Sequence, residues 1–94
     1  MELNENVTKL SAALYYSLTE DDVRAIDFLL RINLPDHWPR LEPLTPKVVL
    51  EKMMELEFFM VNQELRQCSL SSLIKLLGYI RRRDLAATVQ DFGQ

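Results

Sequence analysis

Cysteine, glycine and histidine are scarce in this 94-residue chain, which has one cysteine, two glycines and one histidine. The single cysteine, Cys68, cannot form a disulfide within the chain, so we expect a reducing compartment such as the cytoplasm. His37 has no second histidine or nearby cysteine at metal-ligand spacing, so we expect no metal and no cofactor. No apolar run approaches the about 20 residues of a membrane helix, so we expect no membrane span.

The sequence motifs of enzymes are also missing. The chain has no glycine-rich phosphate loop, no cluster of metal ligands and no nucleophile beside a general base. Glu51 and Glu55 are one helical turn apart, but carboxylates at that spacing are more typical of a solvated helix face than of an acid–base pair. We therefore expect a protein that is not an enzyme.

Hydrophobic residues are abundant, and their spacing is helical. They make up 48% of the sequence, and the length is that of one small domain with one core, so we treat residues 1–94 as a single domain. The apolar positions recur three and four residues apart rather than in alternation. This pattern predicts an all-α fold.

All four prolines of the chain lie within residues 33–46. Proline cannot donate a backbone hydrogen bond and breaks a helix, so we expect at most a short helical turn in this segment. We expect Trp38 to close over the core from there. A long helix is predicted to follow, from Thr45 or Pro46 to about Asn62.

The spacing of apolar residues does not place Phe28 on the core side of its predicted helix. Thr19 is the expected N-cap of this helix, and Val23, Ile26 and Leu30 point in one direction at about 100° per residue. Phe28 lies almost opposite that direction. Either the following segment covers the ring or the ring is exposed for a partner protein, and periodicity alone favours neither.

Residues 70–92 contain two apolar helical stretches, 70–80 and 85–92, that meet at a junction. Asp84 directly precedes the second stretch, where we expect it to act as an N-cap. Residues two apart on one helix do not face each other, so a contact between Arg82 and Asp84 requires a bend between them. We therefore predict a tight helix–helix junction in this segment.

Two segments of the chain carry a resemblance to a known family. Arg82-Arg83-Asp84-Leu85 resembles the RxDL signature of death effector domains, a branch of the death-domain superfamily that occurs in apoptotic adaptors and initiator caspases. The segment from Asp22 to Leu29, DVRAIDFL, is similar to the helix of that family in which an acidic residue precedes Leu-Lys-Phe-Leu. The resemblance covers the chain from about residue 10 to residue 92.

This resemblance implies both a fold and a function. The fold would be a six-helix antiparallel bundle with the Greek-key order of the death fold. The function would be that of a homotypic protein–protein interaction module in apoptotic caspase signalling. Its partners would be other death effector domain proteins, such as an adaptor, an initiator procaspase or an inhibitor, and self-association is also implied.

The resemblance further implies which residues form the interaction site. The charge triad of the family corresponds to Asp22, Arg82 and Asp84. Its hydrophobic interaction patch corresponds to Phe28 and Leu29. The expected mechanism is burial of Phe28 and nearby apolar surface against a partner, with the triad holding the rim of that contact.

Some alternatives stay open from the residues alone. Glu20 and Asp21 compete with Asp22 for the acidic position of the triad. The module could belong to a sibling class, the pyrin or caspase-recruitment domains. A third alternative is a helical regulator that contacts nucleic acid through Arg81–Arg83, but three arginines in a chain of net charge −3 disfavour general nucleic-acid binding.

Overall fold

The computed structural model describes residues 5–56, 58, 60–62 and 67–92, and these residues are predominantly helical. The helices among them are α1 (Glu5–Ser17), α2 (Glu20–Asn33), α3 (Pro46–Glu55), α4 (Ser71–Tyr79) and α5 (Arg83–Phe92). Two short strands, β1 (Met60–Asn62) and β2 (Gln67–Ser69), pair antiparallel with Met60 opposite Ser69. The predicted helical fold is therefore confirmed.

One core joins the helices. Helix α1 packs against α3 and α5, α2 packs against α3, and α4 packs against α5. Val49, Leu77 and Val89 are completely buried where these helices meet. The remaining buried apolar side chains are Leu10, Leu14, Leu18, Val23, Ile26, Leu30, Trp38, Leu50, Met53, Leu70, Leu73, Leu76 and Leu85.

Helix α2 begins with a capping box at Thr19. The hydroxyl of Thr19 accepts a hydrogen bond from the backbone N–H of Asp22 at 3.2 Å, and the carboxylate of Asp22 accepts one from the N–H of Thr19 at 2.9 Å. Two backbone donors that a helix start leaves free are thereby satisfied. The predicted cap is confirmed, and Val23 and Ile26 are buried as their spacing indicated.

Five helices are formed in the described residues, rather than the six that the resemblance implies. The segment between α2 and α3 holds only a turn at residues 35–37 before an irregular stretch. Its closely spaced prolines remove the donors that a helix would need. Trp38 is 2% exposed and anchors this stretch on the core, as predicted.

Helix α3 is shorter than predicted. Thr45 caps it through a 3.3 Å bond from the N–H of Val48, as expected, but the helix ends at Glu55 rather than near Asn62. The N–H of Phe58 then bonds to the carbonyl of Met53, five residues earlier, which closes the helix. The prediction was wrong because the aromatic and β-branched residues that follow suit a strand as well as a helix, and residues 60–62 form β1.

Candidate protein-interaction site

The junction between α4 and α5 turns on Arg81, which has a φ of 64°. The N–H of Arg81 bonds to the carbonyl of Gly78 at 3.1 Å, and the N–H of Arg82 bonds to that of Leu77 at 2.9 Å. These two bonds, together with the left-handed backbone of Arg81, form a Schellman motif at the end of α4. Glycine usually occupies this position because its backbone adopts positive φ without strain. The predicted tight junction is present, but the chain bends at Arg81, a non-glycine residue, rather than between Arg82 and Asp84 as expected.

Asp84 does not cap α5, and that prediction was wrong. The carbonyl of Arg82 accepts the first helical bond, from the N–H of Ala86 at 2.9 Å, so Arg82 holds the cap position. Asp84 lies inside the first turn of α5, where its negative charge still suits the helix dipole. The Schellman motif shifts the helix start by bending the chain before Arg82 rather than after it.

The junction places the guanidinium of Arg82 between two aspartates. Its Nε and Nη2 donate to Oδ1 and Oδ2 of Asp84 at 3.0 and 2.9 Å, a two-point contact. Its Nη1 donates to Oδ2 of Asp22 and, at 3.1 Å, to the carbonyl of Ser17. Arg82 therefore joins the end of α1, the start of α2 and the start of α5.

The structure identifies Asp22 as the α2 acid that contacts Arg82. Glu20 and Asp21 instead bind Arg24 on their own helix, at 2.7 and 3.7 Å. The Asp22 side chain is 11% exposed and that of Arg82 is 22% exposed, so this part of the network is shielded from water. Asp84 is on the solvent side of the network.

The contact between Arg82 and Asp84 favours the charged form of both residues. The hydrogen bonds from Arg82 lower the pKa of Asp84 below its ordinary value. Those same bonds to Asp84, together with the contact to Asp22, raise the pKa of Arg82 despite its partial burial. Both groups stay ionised at neutral pH, so the contact is a charge-assisted one.

An apolar pair lies on the outer face of α2. Phe28 is 64% exposed and Ile32, one turn later, is 62% exposed. No described segment covers Phe28, so the interpretation in which the following segment folds over the ring is wrong. Leu29, the other predicted patch residue, is half-buried against the core and contributes less to the surface. Sequence reasoning missed Ile32, although its spacing of four residues from Phe28 puts both on one helical row.

A second polar network is centred on Asp27, which directly precedes Phe28 in α2. Asp27 is 7% exposed, and its Oδ1 accepts a hydrogen bond from the indole N–H of Trp38 at 2.9 Å. Its Oδ2 accepts one from Nη2 of Arg31 at 2.8 Å. Both carboxylate oxygens are therefore bonded, which is how a nearly buried charge is tolerated. No sequence pattern pairs Asp27 with Trp38, because the contact depends on how the proline-rich segment folds back.

Features of other site classes are missing from the part of the chain that the structure describes. No group of three or more histidine, cysteine or acidic residues there could hold a metal ion. None of the described helices has the length and hydrophobicity of a membrane-crossing segment. The side chain of Cys68 lies outside the described residues. Comparison with protein-family models, curated proteins and solved structures finds no match for the chain.

Proposed function

We propose that this chain is a homotypic protein–protein interaction module of the death effector class. Its partners are then death effector domain proteins of apoptotic caspase signalling, such as an adaptor, an initiator procaspase or an inhibitor, and it acts in the cytoplasm without enzymatic activity. The RxDL-like segment and the α2 segment carry the resemblance on which this proposal rests.

The observation that supports it best is the exposed pair of Phe28 and Ile32. Two large apolar side chains, each more than half exposed on the same row of one helix, are unfavourable in water unless a partner covers them. Large side chains that insert into a partner supply much of the binding energy of protein interfaces. The Arg82 network fixes the start of α2 against α1 and α5, and so holds the helix that carries the pair.

The nucleic-acid alternative is weakened by the position of Arg82. Its guanidinium is occupied by Asp22 and Asp84, so only Arg81 and Arg83 of the three arginines have no ion pair within the described residues. Two free charges on an acidic domain give little of the phosphate contact that nucleic-acid affinity requires.

Sedimentation velocity over a range of concentrations tests the proposal. We expect reversible growth to large species for the wild type and its loss in Phe28→Ala, because the variant removes the exposed ring and leaves the core intact. Tyr79→Ala is the matched control, because Tyr79 is an aromatic residue on α4 that is 79% exposed. If the wild type stays monomeric, capture by purified death effector, pyrin and caspase-recruitment domains follows. Capture by no death effector domain, or capture that Phe28→Ala leaves unchanged, would contradict the proposal, and capture by a pyrin or caspase-recruitment domain alone would support the sibling class instead.

A further inference from the structure

The segment between α2 and α3 ends in the sequence Pro43-Leu44-Thr45-Pro46. Thr45 is the one hydroxyl residue of the chain that a proline follows, and a second proline stands two residues before it. The chain has no other serine or threonine between Thr19 and Ser69. Threonine between two prolines is the pattern that proline-directed protein kinases phosphorylate, and the proposed function makes no use of it.

The backbone of this segment is extended at the threonine. Thr45 has φ −123° and ψ 159°, and Pro46 favours this conformation because its ring keeps the preceding residue out of the helical region. Residues 38–44 also lie outside the helices and strands, and Glu42 and Pro43 are exposed. A protein kinase binds the residues around the acceptor hydroxyl in extended form, so the fold already holds Thr45 in a suitable conformation.

One long hydrogen bond involves the Thr45 hydroxyl. Its Oγ1 accepts from the N–H of Val48 at 3.3 Å, beyond the usual range of about 2.7–3.2 Å. The Thr45 side chain is half-buried, and the buried residues of α3 begin only at Val49. The end of a helix opens with little free energy. The hydroxyl can therefore be released to a kinase while the core contacts of α3 remain.

We propose that Thr45 is a phosphorylation site for a proline-directed serine/threonine kinase, with ATP as the phosphoryl donor. Oγ1 of Thr45 forms a bond to the γ-phosphorus of ATP, and the bond from that phosphorus to the bridging β,γ-oxygen breaks. ADP leaves with the electron pair of that bond, and the hydroxyl proton passes to the base of the kinase. Pro46 provides selectivity, because it has no N–H that the kinase must satisfy.

The phosphate would lie where α3 lacks negative charge. The first turn of α3 contains no acidic residue, whereas that of α2 contains three. Lys47, in the first turn of α3, is exposed. A phosphate has a charge of about −1.5 to −2 and three acceptor oxygens, so it suits both the helix dipole and the N–H groups of this turn. We therefore expect phosphorylation to strengthen the start of a helix that packs against α1 and α2.

Incubation of the full chain with a purified mitogen-activated protein kinase and Mg–ATP tests the site. We expect one phosphate per chain, located at Thr45 by tandem mass spectrometry. Thr45→Asn keeps a good N-cap without a hydroxyl and should take up none. Pro46→Ala keeps the hydroxyl and suits a helix, and we expect at least about tenfold slower incorporation. Ser72→Ala removes an exposed hydroxyl from the first turn of α4 and, as the matched control, should be phosphorylated as the wild type is.

Thermal unfolding of the phosphorylated protein measures the effect on α3. We expect Tm to rise by about 3 °C and to return to its first value after phosphatase treatment. An unchanged or lower Tm would overturn the strengthening of α3. The absence of incorporation, or a phosphate on a hydroxyl other than that of Thr45, would overturn the site itself. Equal rates for Pro46→Ala and the wild type would overturn recognition through the proline.

Discussion

Arg82 binds the carboxylate of Asp22, which lies 60 residues earlier in the sequence. The same carboxylate oxygen of Asp22 accepts the capping-box bond from the N–H of Thr19. One aspartate therefore both starts α2 and ties it to the α4–α5 junction. The orientation of α2, and with it the direction in which Phe28 projects, depends on this contact.

Replacement of Arg82 by alanine is expected to destabilise the fold. The variant leaves the shielded carboxylate of Asp22 without its charged partner and the carbonyl of Ser17 without a donor. A hydrogen bond to a charged group that is largely removed from water contributes about 1.5–3 kcal/mol, so we expect a loss of about 2 kcal/mol in the free energy of unfolding. Urea denaturation measures it, with Arg83→Ala, an exposed neighbour, as the control. Equal free energies of unfolding for the two variants would show that the Arg82 network does not stabilise the fold.

Acid is expected to weaken the Arg82–Asp84 contact. The pKa of Asp84 is lowered in the folded protein by the bonds from Arg82. A depressed folded-state pKa means that its contribution is fully present above the ordinary range of aspartate, about 4, and is lost as pH falls through the folded-state value. Urea denaturation of the wild type and Asp84→Asn between pH 6 and 2 should give a difference that shrinks below pH 4. A constant difference would contradict the pKa assignment.

The helical fold and a junction between two helices near Arg82 were accessible from the sequence because both follow from local rules. Apolar spacing placed the core residues of α2, and the two apolar stretches of residues 70–92 predicted the junction. The position of the bend was not accessible: it was expected between Arg82 and Asp84, but it lies at Arg81, and the two side chains meet at the start of α5. The choice of Asp22 over Glu20 and Asp21 was not accessible. It depends on which side of the α2 start faces the junction, and that is a property of the packed helices.

Other features could not be predicted because tertiary contacts decide them. Arginine rarely adopts positive φ, so nothing at Arg81 signalled the left-handed residue of the junction. Helix α3 ends at Glu55, and residues 60–62 pair with residues 67–69, a contact between strands that helical periodicity does not encode. The Asp27–Trp38 bond likewise requires the path of the intervening irregular segment.

Arg81→Gly is expected to stabilise the protein. Left-handed backbone costs a residue with a Cβ about 1–2 kcal/mol, and glycine avoids that cost at the end of a helix, although it loses more backbone entropy on folding. We therefore expect a net gain of about 1 kcal/mol in the free energy of unfolding, measured by urea denaturation. Arg83→Gly, two residues later inside α5, should instead lower stability. A loss of stability in Arg81→Gly would mean that the arginine side chain supports the junction.

Trp38→Phe is expected to destabilise the protein through Asp27 rather than through lost packing. Phenylalanine keeps an aromatic ring in the core, but it has no N–H to donate to the nearly buried Oδ1 of Asp27. An unsatisfied buried acceptor costs about 1–3 kcal/mol, which sets the expected loss in urea denaturation. Tyr79→Phe removes an exposed hydroxyl and should change stability by less than about 0.5 kcal/mol. A second comparison separates the two causes: in the background of Asp27→Asn, whose amide needs a different set of partners, the loss from Trp38→Phe should shrink. An undiminished loss there would assign the effect to ring packing alone.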